Sequence, residues 1–132
     1  MATAKAASKS KKAKVIRKVS QGMAFVQATY NNTIITVTDQ NGNTLAWSSA
    51  GACGFRGPKK ATPFAASMIV KTIADKVKET GLREVEIFVT GVGSGRDSAV
   101  RAFNANGFTV TSIKDMTPLP HNGCRSPRAR RV

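Results

Sequence analysis

Residues 91–98 read GVGSGRDS, three glycines at alternate positions followed by an arginine. They stand between the β-branched run Val85 to Val89 and a stretch with helical periodicity. A strand, a glycine turn and a helix start in that order make a nest of backbone N–H groups suited to a phosphate, and the Arg96 guanidinium adds a fork of donors. Dinucleotide-binding turns share the order, but their fingerprint is G-x-G-x-x-G with an acid about 20 residues beyond it. Position 96, where the third glycine belongs, is Arg96, so the fingerprint fails although Asp115 stands near the right distance. Gly93, Gly95 and Arg96 are therefore expected to meet an RNA phosphate and not a dinucleotide cofactor.

A second loop, Gly51 to Lys60, reads GACGFRGPKK. Its glycines let backbone come close to a ligand, Arg56, Lys59 and Lys60 supply cations around Gly57, and Phe55 offers a ring for stacking on a base. It runs into Thr62-Pro63, a helix start whose free N–H groups and dipole favour an anion. The turn at Asn31 and Asn32 with Thr33 beside it, and the polar stretch His121, Asn122 and Gly123, are further candidates for RNA contact. Enzymatic chemistry fails on inventory. His121 is the one histidine and lies in a Pro-rich tail, where nothing rigid would hold a catalytic imidazole. Cys53, Cys124 and His121 lack zinc-like spacing and a fourth ligand, and the seven carboxylates match no two-metal cluster. No catalytic residue, metal or cofactor is expected.

These loops need a scaffold. Met23 to Tyr30 and Thr33 to Asp39 are rich in β-branched and aromatic residues, and Asn41-Gly42 makes the turn before Thr44 to Ala50, which predicts a three-stranded antiparallel meander. Thr62-Pro63 starts a helix whose buried face is Ala66, Ile69, Val70, Ile73 and Val77 and which Gly81 ends. Val85 to Val89 is a fourth strand. Ser94 with Asp97 fits a capping box for a second helix through Phe103 that Gly107 stops, and Phe108 to Ile113 closes the sheet. Strands joined through helices run parallel by right-handed crossovers. The expected fold is thus α/β: a single domain with a mixed five-stranded sheet in βββαβαβ order, ribonuclease-H-like in topology, with helices on its faces. Most aromatics fall at positions a core would claim, which argues against an exposed platform for single-stranded RNA.

Charge divides the chain more sharply than composition does. Every acidic residue lies between Asp39 and Asp115, whereas eleven of the 21 Lys and Arg residues lie in the two ends. The first holds Lys5, Lys9, Lys11, Lys12, Lys14, Arg17 and Lys18, and the second Arg125, Arg128, Arg130 and Arg131, with no carboxylate in either. The middle carries ten basic against seven acidic side chains. A near-neutral domain, residues 21–117, with basic arms at 1–20 and 118–132 calls for a dense polyanion, and a nucleic-acid backbone is the common one. The composition offers no secretory signal, no apolar run long enough for a membrane span and no need for a disulfide, so a cytoplasmic protein with free thiols is expected.

Larger motifs carry a resemblance. YNNTI at 30–34 followed by TVTD at 36–39, GFRGPKK at 54–60, TPFAA at 62–66, the glycine loop with Arg96 and TPLPHNGCR at 117–125 resemble the small-subunit ribosomal protein eleven family, bacterial type, over nearly all of residues 15–132. Val92 and Ser94 in the glycine loop, and Ser126 and Ala129 near the end, depart from the prolines and basic run of its bacterial members. The resemblance implies a non-enzymatic structural component of the small ribosomal subunit on its platform, bridging helices of 16S-type ribosomal RNA and helping to form the cleft that receives the Shine-Dalgarno duplex. It implies platform proteins seven and eighteen as neighbours, initiation factor three and messenger RNA as further contacts, and no homo-oligomer. The expected RNA contacts are Lys11, Lys12, Lys14, Arg17, Lys18, Asn31, Asn32, Thr33, Phe55, Arg56, Gly57, Lys59, Lys60, Gly93, Gly95, Arg96, His121, Asn122, Gly123, Arg125, Arg128, Arg130 and Arg131.

Overall fold

Along β1 (Gln21–Ala28) the side chains alternate, with Gly22, Ala24, Val26 and Ala28 buried and Gln21, Phe25 and Gln27 exposed. The computed structural model describes residues 18–129, and in it β1 is the central strand. β2 (Thr33–Asp39) pairs with it antiparallel, Ala28 opposite Thr33, and β3 (Thr44–Ser49) pairs antiparallel with β2. The turn between β2 and β3 is held by Asp39, whose carboxylate accepts from the Asn41 and Asn43 amides, both at 2.9 Å. Gly42 supplies the φ of 93° that this turn requires.

β3 leads through the 51–62 loop, which ends in a short 3-10 turn (Gly57–Ala61), into α1 (Pro63–Val77). Thr62 caps α1 by accepting from the Ala65 amide at 3.3 Å, and Gly81, with φ 72°, closes the turn after it. β4 (Glu84–Thr90) then pairs parallel with β1, α2 (Gly95–Ala105) follows, and β5 (Thr109–Asp115) pairs parallel with β4. The sheet order is β3-β2-β1-β4-β5, the expected mixed five-stranded sheet.

Both helices lie on the same face. The crossovers from β3 to β4 and from β4 to β5 progress in one direction across the sheet, and right-handed connections that advance the same way place their helices on one side. Ile69, Val70, Ile73 and Val77 of α1 and Ala99 and Phe103 of α2 pack on Val26, Ile35, Val37, Val85 and Ile87, all 3% exposed or less. Burying each of these large side chains contributes about 1.5–3 kcal/mol. Phe103 meets Phe108 edge to face at 5.7 Å beneath α2.

Two expectations need correction. Most aromatics are not in the core: Phe103 and Phe108 are, whereas Trp47, Tyr30 and Phe64 are exposed, and Phe25 and Phe88 sit on the sheet face away from the helices. The alternation along β1 already separates Phe25 from Val26. The capping box at Ser94 does not form either. Ser94 is in the right-handed helical region (φ −67°, ψ −13°), where its side chain does not cap α2, and its hydroxyl donates instead to the Ala61 carbonyl at 2.6 Å.

Candidate nucleic-acid interface

β1, β4 and β5 all finish at one end of the sheet, where β2 begins and β3 ends. Chain direction therefore collects at this upper end the 29–32 turn, the 51–62 loop, the 91–94 loop and the N-termini of α1 and α2. The residues after β5 leave from it too. Ligands of open α/β sheets bind at the carboxyl ends of the parallel strands for the same topological reason. Most carboxylates are sorted oppositely, Asp97 and Asp115 being the exceptions. Asp39, Asp75, Glu79 and Glu84 lie at or near the lower end, and Glu86 lies one pleat above Glu84.

The loops are fastened to one another. The Gly93 amide donates to the Ala28 carbonyl at 2.9 Å, and Ser94 ties the glycine loop to Ala61. Arg96 donates to the Gly91 carbonyl and, at 2.7 Å, to Oδ2 of Asp115. Oδ1 of Asp115 accepts from the Thr117 amide at 3.0 Å and hydroxyl at 2.6 Å, and the Gly91 amide donates to Thr117 Oγ1 at 3.2 Å. These bonds join the glycine loop, the end of β5 and the first residues of the C-terminal segment. Arg96 and then Thr117, by donating to the carboxylate, hold the Asp115 carboxyl well below its usual range.

The expected contact residues divide accordingly. Arg56, Gly57 and Lys59 are exposed at the upper end, and Lys60 is half-buried beside them. His121, Asn122, Gly123, Arg125 and Arg128 are exposed along the segment that leaves it. Asn31 is exposed in the turn, and the Asn32 side chain accepts from the Thr33 amide at 2.8 Å. Thr33, Gly93 and Gly95 are buried. The Thr33 side chain points into the core on the helix side of β2, the Gly93 amide is taken by Ala28, and Gly95 lies against Thr33 and Ala66. Phe55 is half-buried against the core, edge-on to Phe64 at 5.9 Å, so its ring is a poor stacking platform.

Lys18 is exposed at the lower end, where Val19 donates to the Thr80 carbonyl at 2.9 Å and the Ser20 carbonyl accepts from the Arg83 and Glu84 amides. Lys11, Lys12, Lys14, Arg17, Arg130 and Arg131 lie outside the described residues. Sequence reasoning passed over two rings at the upper end, Tyr30 at 78% and Phe64 at 66% exposure. Phe64 had a signal, because it falls outside the i, i+3, i+4 set that Ala66 and Ile69 define. Tyr30 adjoins the Asn turn and is placed by it. Among the described residues no group of three or more His, Cys, Asp or Glu side chains could hold a metal ion, and no helix is long and apolar enough to cross a membrane.

The family model described as Ribosomal protein S11 matches residues 22–131. The chain belongs to the ribosomal protein S11 family. A small ribosomal subunit protein uS11 of Solibacter usitatus is 59% identical over 94% of this chain and 92% of its own length. The uS11 of Idiomarina loihiensis is 53% identical over 98% of this chain and 99% of its own, and that of Alteromonas mediterranea 52% over the whole of both. As a member of the S11 family the protein has a structural, non-enzymatic role. The matched span takes in the entire upper end and the C-terminal segment through Arg131, while Lys18 falls before it. Ser94 supplies a bond to Ala61 that a proline could not make.

Proposed function

We propose that the protein is a structural constituent of the small ribosomal subunit that binds and bridges helices of 16S-type ribosomal RNA on the platform and helps form the Shine-Dalgarno cleft. One observation carries the RNA-binding part: cationic loops, two helix N-termini and the root of the Arg-rich segment share one end of the sheet, and most carboxylates are kept from it. Arg56, Lys59 and Lys60 meet phosphates, the α1 N-terminus favours an anion beside them, and exposed Tyr30 and Phe64 stack on unpaired bases. Recognition by backbone and shape suits folded RNA, which offers few readable base edges.

Bridging follows from where the two basic arms attach. Residues 1–20 join at the lower end of β1 and residues 118–132 leave from the upper end, with the domain, residues 21–117, between them. β1 spans about 26 Å for its eight residues, so the arms reach phosphates on RNA helices too far apart for one loop to touch. Lys11, Lys12, Lys14, Arg17 and Lys18 serve one helix, and Arg125, Arg128, Arg130 and Arg131 another. Within the subunit a single copy neighbours platform proteins seven and eighteen, faces messenger RNA and initiation factor three, and works in the cytoplasm. Tagged protein expressed in bacteria tests the reading. Co-sedimentation with small subunits through a high-salt wash is the expected result, and recovery of the protein only in the soluble fraction would sink it.

A further inference from the structure

The sheet face opposite the helices has no cover among the described residues. The pairing registers place Trp47 of β3, Thr36 of β2, Phe25 of β1, Phe88 of β4 and Lys114 of β5 in one row across it. Trp47 is 57% exposed and Phe25 37%, and Met23 and Ile34 flank the row outside the core. A contiguous apolar row on an exposed sheet marks an interaction surface. RNA, a second copy of the chain and a segment of another protein are the occupants to weigh.

RNA fits poorly. The Phe25 and Phe88 rings stack on each other at 5.1 Å and 15°, and the Lys114 ammonium lies 5.5 Å over the Phe88 ring. Phe88 is thus filled on both sides and cannot receive a base. Lys114 is also held by Glu86 at 3.0 Å, so it offers little to a phosphate. A second copy fits no better. Each chain carries a net charge of +14, and a face of roughly 20 by 25 Å buries only about 1,000 Å² with both sides counted, the lower bound of stable interfaces.

The lower end of the face decides for a protein. An open groove of about 450 Å³ there is lined by Gln21, Met23, Gln40, Glu84 and Glu86 among others. The Glu84 carboxylate accepts from the Gln21 amide at 2.9 Å and has no salt bridge among the described residues. Charges interact over about 8 Å at physiological salt, so this carboxylate, and not the net charge of the chain, sets the preference in the groove. We propose that the open sheet face docks an amphipathic segment of a neighbouring ribosomal protein, whose apolar side chains cover Trp47, Phe25 and Phe88 and whose Lys or Arg enters the groove beside Glu84. The inference rests on the ribosomal reading above.

Trp47 is the one tryptophan of the chain and reports on the first alternative. Its emission maximum and acrylamide quenching are expected to stay unchanged when the protein binds 16S-type RNA alone. Strong quenching by RNA would mean that bases stack there, and would overturn the proposal. In assembled subunits, p-benzoylphenylalanine replacing Phe25 is expected, on irradiation, to join a peptide of another protein that carries apolar residues and a Lys or Arg. Glu84→Lys, outside the RNA-facing end, should cut the adduct at least fivefold while the protein still co-sediments. Adducts to RNA, to a second copy or to an acidic peptide, or no adduct at all, would each overturn the docking surface and leave the ribosomal reading standing. Failure of the unmodified protein to co-sediment removes both. If the residue-25 variant does not assemble, the same replacement at Trp47 on the edge strand gives the same readout.

Discussion

Asp115 pairs with Arg96 at the upper end, which gives the two accounts of that end opposite expectations. Were bulk charge decisive, Asp115→Asn would tighten RNA binding by removing a repulsive carboxylate. If the Arg96–Asp115–Thr117 linkage aims the C-terminal segment, the substitution should weaken binding about three- to tenfold through the loss of a charge-assisted contact. Filter binding decides between them, and limited proteolysis should show faster cleavage beyond Met116. The depressed pKa of Asp115 sets the sign of the pH response. A carboxylate held below its unfolded value contributes its linkage above about pH 4 and loses it only as pH falls through the folded value. Protease protection of the segment should therefore be the same at pH 7 and pH 5, and a loss in that window would contradict the linkage. Asn122 makes a separate point. It has φ 59° and no hydrogen bond to its amide among the described residues, whereas the Asn106 amide donates to Ala102 at 2.7 Å and Asn41 sits in a turn fixed by Asp39. Peptide mapping of aged free protein should find isoaspartate first at Asn122-Gly123, and RNA should slow it. Thr33 and Arg96 mark what single-residue reading misses. Thr33 reads as a contact beside the Asn turn although 33, 35 and 37 share the buried face of β2, and the partner of Arg96 stands 19 residues away, opposite Val89 only once β4 and β5 are in register.

The loops at the upper end differ in how rigidly the elements hold them. Gly91 has φ 93°, and a Cβ there would collide with the Ala28 carbonyl oxygen at the end of β1. Gly57 also has a positive φ, 60°, but open space around it. Gly91→Ala should thus cost about 3 kcal/mol or more in urea unfolding, and Gly57→Ala only about 1 kcal/mol, the backbone cost alone. Equal losses would show that the glycine loop is not clamped against β1. Element types and most boundaries were legible, because each has a local cause: alternation in β1, Asn41-Gly42 at the turn, Thr62-Pro63 before α1 and glycines after both helices. The capping box was not, since whether Ser94 reaches its own helix depends on where the neighbouring loop puts the Ala61 carbonyl. Nor was the shared face of the helices. That follows from strand order, which local pattern does not contain.

At the scale of the whole molecule, cationic loops gather at one end of a five-stranded sheet and five of the seven acidic residues lie toward the other, while the described chain starts at the lower end and leaves after β5 from the upper. The overall charge made a polyanion partner legible from composition, but its partition between ends required the alternating strand directions. If about six to ten phosphates are neutralised, affinity for folded 16S-type RNA should fall by about 10³ to 10⁵ between 50 and 200 mM salt. Removing residues 1–17 should take away several of those contacts, and so flatten the slope of log affinity against log salt by roughly 0.9 for each phosphate released. The cut stops short of Val19, whose amide is bonded to Thr80 and whose side chain packs on the core. Thermal stability of the truncated protein should for that reason match the full chain to within a few degrees. A shallower slope with an unchanged melting temperature is the signature of an arm that serves RNA and not the fold. An unchanged slope would place the N-terminal lysines away from phosphate, and bridging between separate RNA helices would then lose one of its two ends.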